Sequence, residues 1–285
     1  MHCEHHKMIY ERLSKIFMGI YYKCPFLRSY LSRISSAYFF FNPRFLGVGM
    51  SSAQELPWND EYQGEIFRQA CVDIKNNLKF SNDVSTNSRA IDALMWRLWI
   101  ISYATKHAIE FARDNDYNFV ECGVANGFST FIALREIAGN KKTVNSFSMH
   151  LYDSWSMMKK EHQFKNEAIM ALGGIESDIE TTKKNLDEFK KNVVYHKGYI
   201  PDTLDNSDTP TNIIYLHIDL NSAKSTLETL DFFYPKITSG GVIIFDDYGH
   251  KGFESTKKVV DKFFSDKPGT HLKFPTGQSI FFSNS

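Results

Sequence analysis

From residue 118 onward, short apolar runs alternate with segments whose apolar positions recur every three or four residues. The runs predict strands at 118–124, 147–153, 193–197, 212–220, 241–246, 270–275 and 278–283. The periodic segments predict helices over about 127–138, 176–190, 222–234 and 253–265. Strands alternating with helices signal βαβ units and a mostly parallel sheet, hence an α/β fold. Only Thr276-Gly277 separates the last two strands, so a hairpin is expected there and the final strand should run antiparallel. Upstream, 60–80 reads as helical. Residues 88–113 read as a long amphipathic helix with Trp96, Trp99 and Ile100 on one face. No internal repeat or low-complexity tract interrupts the pattern.

Residues 1–50 follow a different pattern. They carry seven Lys/Arg against two Glu, and eleven aromatics including Tyr38-Phe39-Phe40-Phe41, with helical spacing over 7–22 and 27–41. The expectation is a helical extension packed on the main domain or on a second copy in a homodimer. A basic amphipathic segment resting on an anionic membrane surface is the sharper alternative. The cluster Met1-His2-Cys3-Glu4-His5-His6 offers metal donors, but a frayed terminus is the simpler expectation. Pro43, Gly47, Gly49 and Ser51-Ser52 mark a joint, and the domain division is set at 1–85 and 86–285.

Composition narrows the function classes. The 285 residues suffice for one large domain with an extension. Charge balances at 33 basic and 33 acidic residues, which gives no global field for a nucleic-acid partner. Cys3, Cys24, Cys71 and Cys122 are scattered without a CxxC, against a disulfide framework or structural zinc and in keeping with a reducing compartment. No stretch is long and apolar enough for a membrane span. The run Ile16–Tyr22 is short for a signal-peptide core. The expected location is the cytoplasm.

The candidate chemistry lies at strand ends. Ligands in open α/β sheets bind beyond the carboxyl ends of the strands, near the topological switch point. One such end is Val120-Glu121-Cys122-Gly123-Val124-Ala125-Asn126-Gly127, a turn between strand and helix. Gly123 permits a tight turn and Gly127 a close backbone approach. The spacing is neither that of a dinucleotide fingerprint nor of a phosphate loop, so the ligand need not carry a phosphate and an NAD-linked enzyme is disfavoured. The next strand ends at Asp153-Ser154, where an acid can accept hydrogen bonds from both hydroxyls of a ribose, or else cap a helix. Two later strand ends supply Asp219 and Asp246-Asp247. Three carboxylates buried together need a cation, and an all-oxygen donor set suits Mg²⁺, Ca²⁺ or Mn²⁺. Helix capping by one of these acids is the competing role.

These segments together resemble a known family. Val120-Glu121-Cys122-Gly123-Val124, Tyr152-Asp153-Ser154, Leu216-His217-Ile218-Asp219 with Ser225-Thr226, and Gly240-Gly241-Val242-Ile243-Ile244-Phe245-Asp246-Asp247-Tyr248-Gly249 are similar, in that order, to the macrocin-type O-methyltransferases. Lys197–Leu204 and Pro275-Thr276-Gly277-Gln278 add to the likeness, which covers about residues 88–283. The resemblance implies a class I, Rossmann-like sheet of seven strands with the last reversed. It implies S-adenosylmethionine as cofactor, held by Glu121, Gly123, Val124, Ala125, Asn126 and Gly127 around its methionine part and by Asp153 and Ser154 at its ribose. It further implies Mg²⁺ on Asp219, Asp246 and Asp247, and a sugar or glycosylated metabolite as acceptor. The chain departs from the pattern at Asn221 and Ala223, where a second acid and a Tyr are usual, and at Trp155-Ser156-Met157, where Phe-Glu-Gly is usual. Those departures bear on the acceptor.

The expected reaction is O-methylation of a sugar hydroxyl, with Asp219 at the reacting centre and His250 as general base ahead of His217. Two rivals stand beside it. One is a metal-independent methyltransferase whose acids only orient another small molecule. The other is a non-catalytic cofactor-binding subunit whose N-terminus docks a partner.

Overall fold

The computed structural model describes residues 55–79, 88–113, 117–143, 146–156, 159, 177–205 and 208–284. The expectations for residues 1–50 and for the joint that follows lie outside them. Residues 57–285 form one compact unit.

The elements follow the hydrophobic pattern closely. Helices α1 (Glu65–Asn77) and α2 (Ser88–Phe111) precede β1 (Asn118–Cys122), α3 (Phe128–Gly139) and β2 (Ser148–Asp153). Then come α4 (Ile179–Asn185), β3 (Val193–Lys197), β4 (Ile213–Ile218), α5 (Ala223–Phe233), β5 (Ile237–Phe245), α6 (Glu254–Phe263), β6 (Gly269–Lys273) and β7 (Ser279–Ser283). The seven strands form one sheet in the order β3-β2-β1-β4-β5-β7-β6, parallel except that β7 runs antiparallel to both neighbours. The antiparallel last strand is the one the Thr276-Gly277 turn implied. The strand order reverses between β1 and β4, which makes their carboxyl ends the switch point.

Both faces of the sheet are covered, so the central strands are apolar throughout rather than alternating; β4 is buried at every position. One core joins Phe67, Ile74, Ile101, Phe131, Ile132 and Leu151 beneath α1, α2 and α3. The other joins Tyr152, Leu216, Leu230, Phe233, Val260 and Phe281 beneath α5 and α6. The expected apolar face of α2 meets α1 and the turn before it. Trp99 packs edge-on against Phe67 at 5.1 Å, and Trp96 against Trp58 at 4.8 Å.

Several boundaries differ from expectation; the helix read over 60–80, for instance, starts at Glu65. The helix foreseen over 176–190 stops at Asn185 and continues as a short 3-10 turn over Asp187–Phe189. β5 begins at Ile237 rather than 241, with an irregular register against β4 before Val242. Gly240 explains the last of these. Its φ is +81°, and a Cβ there would lie 2.1 Å from the carbonyl oxygen of Phe111. The glycines that read as a strand start are instead an internal bulge, shaped so that the end of α2 can rest on the sheet.

Beneath the sheet, β2 and β3 bury a histidine pair. His150 Nδ1 and His196 Nε2 are 3.0 Å apart, and His196 stacks on Tyr152. Burial, then the neighbouring His196, pulls His150 down to about 4; burial pulls His196 down as well, against the opposing pull of Asp208. The unfolded chain charges both rings near pH 6.5. Between that pH and about 4 the unfolded state therefore holds more protons. Stability from this pair is complete above pH 6.5 and is lost as pH falls. The expected loss is on the order of 2 kcal/mol, reduced from the full shift for partial solvation. His150→Gln should flatten the melting temperature between pH 6.5 and 4. Parallel profiles for the two chains would remove the pair as the cause.

Candidate active site

The sheet ladder continues one residue past each central strand. Gly123 N donates to Tyr152 O at 2.8 Å, Asp219 N to Cys122 O at 2.8 Å, and Asp246 N to Ile218 O at 3.0 Å. These bonds set the segments after β1, β2, β4 and β5 side by side along one edge, where all the strand-end candidates gather.

The turn after β1 is built for close packing. Gly123, Ala125 and Gly127 have φ of +88°, +48° and +81°. Gly127 precedes α3, and the buried Asn126 carbonyl accepts from Asn185 Nδ2 at 2.9 Å. Asp153, at the end of β2, takes Val124 N (2.7 Å) and Ala125 N (2.8 Å) on Oδ2 and Trp155 N (2.7 Å) on Oδ1. It does not cap a helix; it ties the turn to the next strand. Ser154 lies in the tight turn that follows, its hydroxyl donating to Ser156 O at 3.1 Å. Trp155, with φ of +44°, closes the side, and its Nε1 donates to Thr182 Oγ1 at 3.0 Å.

Glu121 is fully buried and already occupied. Its carboxylate accepts from Ser129 Oγ and Thr130 Oγ1, both at 2.5 Å, and lies 3.1 Å from His217 Nδ1. The β1–β4 register puts Glu121 directly opposite His217, which is why the two meet. His217 Nε2 has no hydrogen-bond partner among the described residues and lies 3.7 Å from Asp246 Oδ1. His217 thus spans the distance from the glycine turn to the acids.

Asp219, Asp246 and Asp247 come together, each offering an oxygen within 4.8 Å of the others. Ser222, not Asp219, caps α5 by accepting from Ser225 N, so the capping role is not needed from the acid. Asn221, with φ of +53°, bridges two of the three. Its Nδ2 donates to Asp219 Oδ1 at 3.3 Å and its backbone N to Asp247 Oδ2 at 3.1 Å. Burial raises the carboxyl of Asp219 above its ordinary range. Burial, then the charge of Asp219, raises that of Asp247 well above it. Two such carboxyls cannot both ionise without a compensating cation.

Sequence reasoning missed the residues that hold Asp246. The guanidinium of Arg97, from α2, is ion-paired with Asp246 Oδ2 and also meets His250 Nε2. Gln278 Nε2, from the closing hairpin, donates to Asp246 Oδ1 at 2.6 Å and to Arg97 O at 3.3 Å. No motif flags Arg97, which lies on a helix before the sheet begins. Gln278 was legible only as part of a resembling segment. His250 stands beside the acids, half-buried, its basicity lowered by burial and then by Arg97. With Nε2 engaged by Arg97, it has no lone pair there for a substrate proton.

Residues 120–248 match the Methyltransferase domain family. Over 96 residues the chain is 28% identical to the demethyldecarbamoylnovobiocin O-methyltransferase of Streptomyces niveus, a match covering 34% of this chain and 36% of that protein. The chain therefore spans about a third of the length of the curated relative it matches. Among solved structures, the O-methyltransferase NovP is similar with a TM-score of 0.58 at 21% identity, over 70% of this chain and 84% of that one. The calicheamicin methyltransferase CalS11 is similar with a TM-score of 0.54 at 15% identity, over 83% and 100%. At these identities the structural likeness speaks for the fold.

Proposed function

We propose that this chain, which carries a class I, Rossmann-like methyltransferase domain, is an S-adenosylmethionine-dependent O-methyltransferase acting on a hydroxyl of a sugar or glycosylated metabolite. The observation that carries the reading is the meeting, along one sheet edge, of the Gly123–Gly127 turn, Asp153 and the three acids. The curated relative's name, demethyldecarbamoylnovobiocin O-methyltransferase, supports O-methylation as the reaction.

S-adenosylmethionine supplies a methyl group on a sulfonium, transferred by in-line displacement. The chain's own contribution begins with the turn. Its backbone from Gly123 to Gly127 would lie against the methionine part, with Asp153 and Ser154 at the ribose. Glu121 acts behind the turn, where its bonds to Ser129 and Thr130 pin the start of α3. The all-carboxylate donor set of Asp219, Asp246 and Asp247 fits Mg²⁺ or a similar hard cation, whose charge would lower the pKa of the acceptor hydroxyl. The unpartnered His217 Nε2, aimed at Asp246, supports a site completed by a ligand. His250 is our candidate for accepting the hydroxyl proton, at an Nε2 that Arg97 would first have to release.

One observation favours a metal-independent second reading: Arg97 already places a positive charge on Asp246. The buried free thiols of Cys71 and Cys122 support a cytoplasmic enzyme. Among the described residues no helix is long and apolar enough to cross a membrane. A homodimer built through the N-terminal residues completes the proposal.

Calorimetric titration of S-adenosylhomocysteine, with and without Mg²⁺, tests the cofactor. Micromolar binding is the expected result, and no binding in either condition would end the methyltransferase reading. Methyl transfer to a panel of hydroxylated sugars, with and without EDTA, then separates the two mechanisms. Loss of turnover in EDTA, restored by Mg²⁺, is expected.

A further inference from the structure

We propose that Arg97 is the resident counter-cation of the acid cluster and that a divalent cation binds there by displacing it. The inference rests on the metal-dependent form of the function proposed above. Among the described residues, Arg97 is the only lysine or arginine ion-paired to any of the three acids. Its charge also acts favourably on Asp219 and Asp247. The cluster without metal is thus held by one guanidinium reaching in from α2.

The two cations cannot share the cluster comfortably. Both oxygens of Asp246 are engaged, Oδ1 by Gln278 and Oδ2 by Arg97. Gln278 is neutral, and an oxygen that accepts from it can still coordinate a metal. The guanidinium is different. The three donor oxygens span no more than 4.8 Å, so a metal among them would face a full positive charge a few ångströms away at a partly buried position. Arg97 is on a long side chain at a position that is neither fully buried nor locked by a second carboxylate. Among the described residues, its other hydrogen-bonding contacts are with His250 Nε2 and the carbonyl oxygen of Asp246. Withdrawal of the guanidinium would release His250 Nε2 at the same moment. Metal arrival and exposure of the candidate base would then be one event, which links two parts of the site that the sequence leaves unconnected.

The test is Mn²⁺ binding to the full chain, followed by electron paramagnetic resonance of the free ion, for the native protein and for Arg97→Met. Arg97→Met is expected to bind Mn²⁺ at least about tenfold more tightly, because a competing charge has been removed. Equal or weaker binding by the variant would overturn the role of Arg97 while leaving the metal site intact. Binding by neither chain would remove the metal reading and this inference with it. S-adenosylhomocysteine affinity, measured in parallel, shows separately whether the cofactor reading survives. A second measurement uses only the native chain, in case Arg97→Met does not fold. Phenylglyoxal modification of Arg97, followed by mass spectrometry, should accelerate several-fold when Mn²⁺ saturates the protein. An unchanged or slower rate would overturn the displacement.

Discussion

Asp246→Asn is expected to lower kcat/KM for Mg²⁺-dependent methyl transfer by at least about a hundredfold, the scale on which even residues behind a metal's ligands act. The same variant should keep its affinity for S-adenosylhomocysteine within about twofold, since the hydrogen bonds and ion pairs of Asp246 among the described residues go to Ile218, Arg97, Gln278 and His217 and not to the glycine turn or Asp153. The substitution preserves shape. An Asn oxygen can still accept from Gln278 Nε2, and the backbone bond from Asp246 N to Ile218 O is untouched. What it removes is one negative charge, and with it the ionic partner of Arg97 and one of three carboxylate donors for a cation. Mn²⁺ binding should weaken in step with activity. Native-like turnover in Asp246→Asn would sink the metal assignment and favour the reading in which Arg97 alone supplies the positive charge.

Gly123→Ala is expected to cost about 4 kcal/mol or more, at the exceptional end for one substitution. A fall in melting temperature of roughly 10 °C would follow for a domain of this size. Two causes coincide. The residue sits at φ +88°, and an added Cβ would lie 1.9 Å from the carbonyl oxygen of Asp219 and 2.6 Å from its carbonyl carbon. That neighbour is backbone, held by its own amide on Cys122 O, so it cannot turn aside as a side chain does. Relief requires the end of β4 to move, and Asp219 with it. Cofactor and Mn²⁺ binding should therefore both fail in whatever fraction remains folded. Gly127→Ala is the contrast. Its φ is +81°, but the nearest atoms to an added Cβ are side-chain carbons, Leu186 Cδ1 and Thr182 Cγ2 at 3.3 Å and Leu186 Cγ at 3.5 Å. A loss of about 1–2 kcal/mol is expected there. Melting curves of the two variants decide it; similar losses would mean that backbone strain, not the Asp219 carbonyl, sets the cost at Gly123.

The sequence by itself determined the alternation of strands and helices, the reversed final strand and the strand-end positions of Gly123, Asp153, Asp219, Asp246 and Asp247. These were legible because they are local. A buried parallel strand must be apolar along its length, so its end is marked where the apolar run meets glycine or an acid. The position of each candidate along its strand then follows from chain order alone.

Tertiary structure decided which of these groups meet and what holds them. Sheet order placed β4 between β1 and β5, and register set Glu121 opposite His217. Neither is encoded in the spacing of any one segment. Arg97 and Gln278 reach Asp246 from α2 and from the closing hairpin, at opposite ends of the described chain. Their sequence neighbourhoods read only as an amphipathic helix and a turn. The bulge at Gly240 was likewise invisible, because its cause is the carbonyl oxygen of Phe111, more than a hundred residues earlier. A hydrophobic pattern records how much of each element is buried. The identity of the group against which it is buried is set by the packing of helices across the sheet, and the partners of the acid cluster belong to that second kind of information.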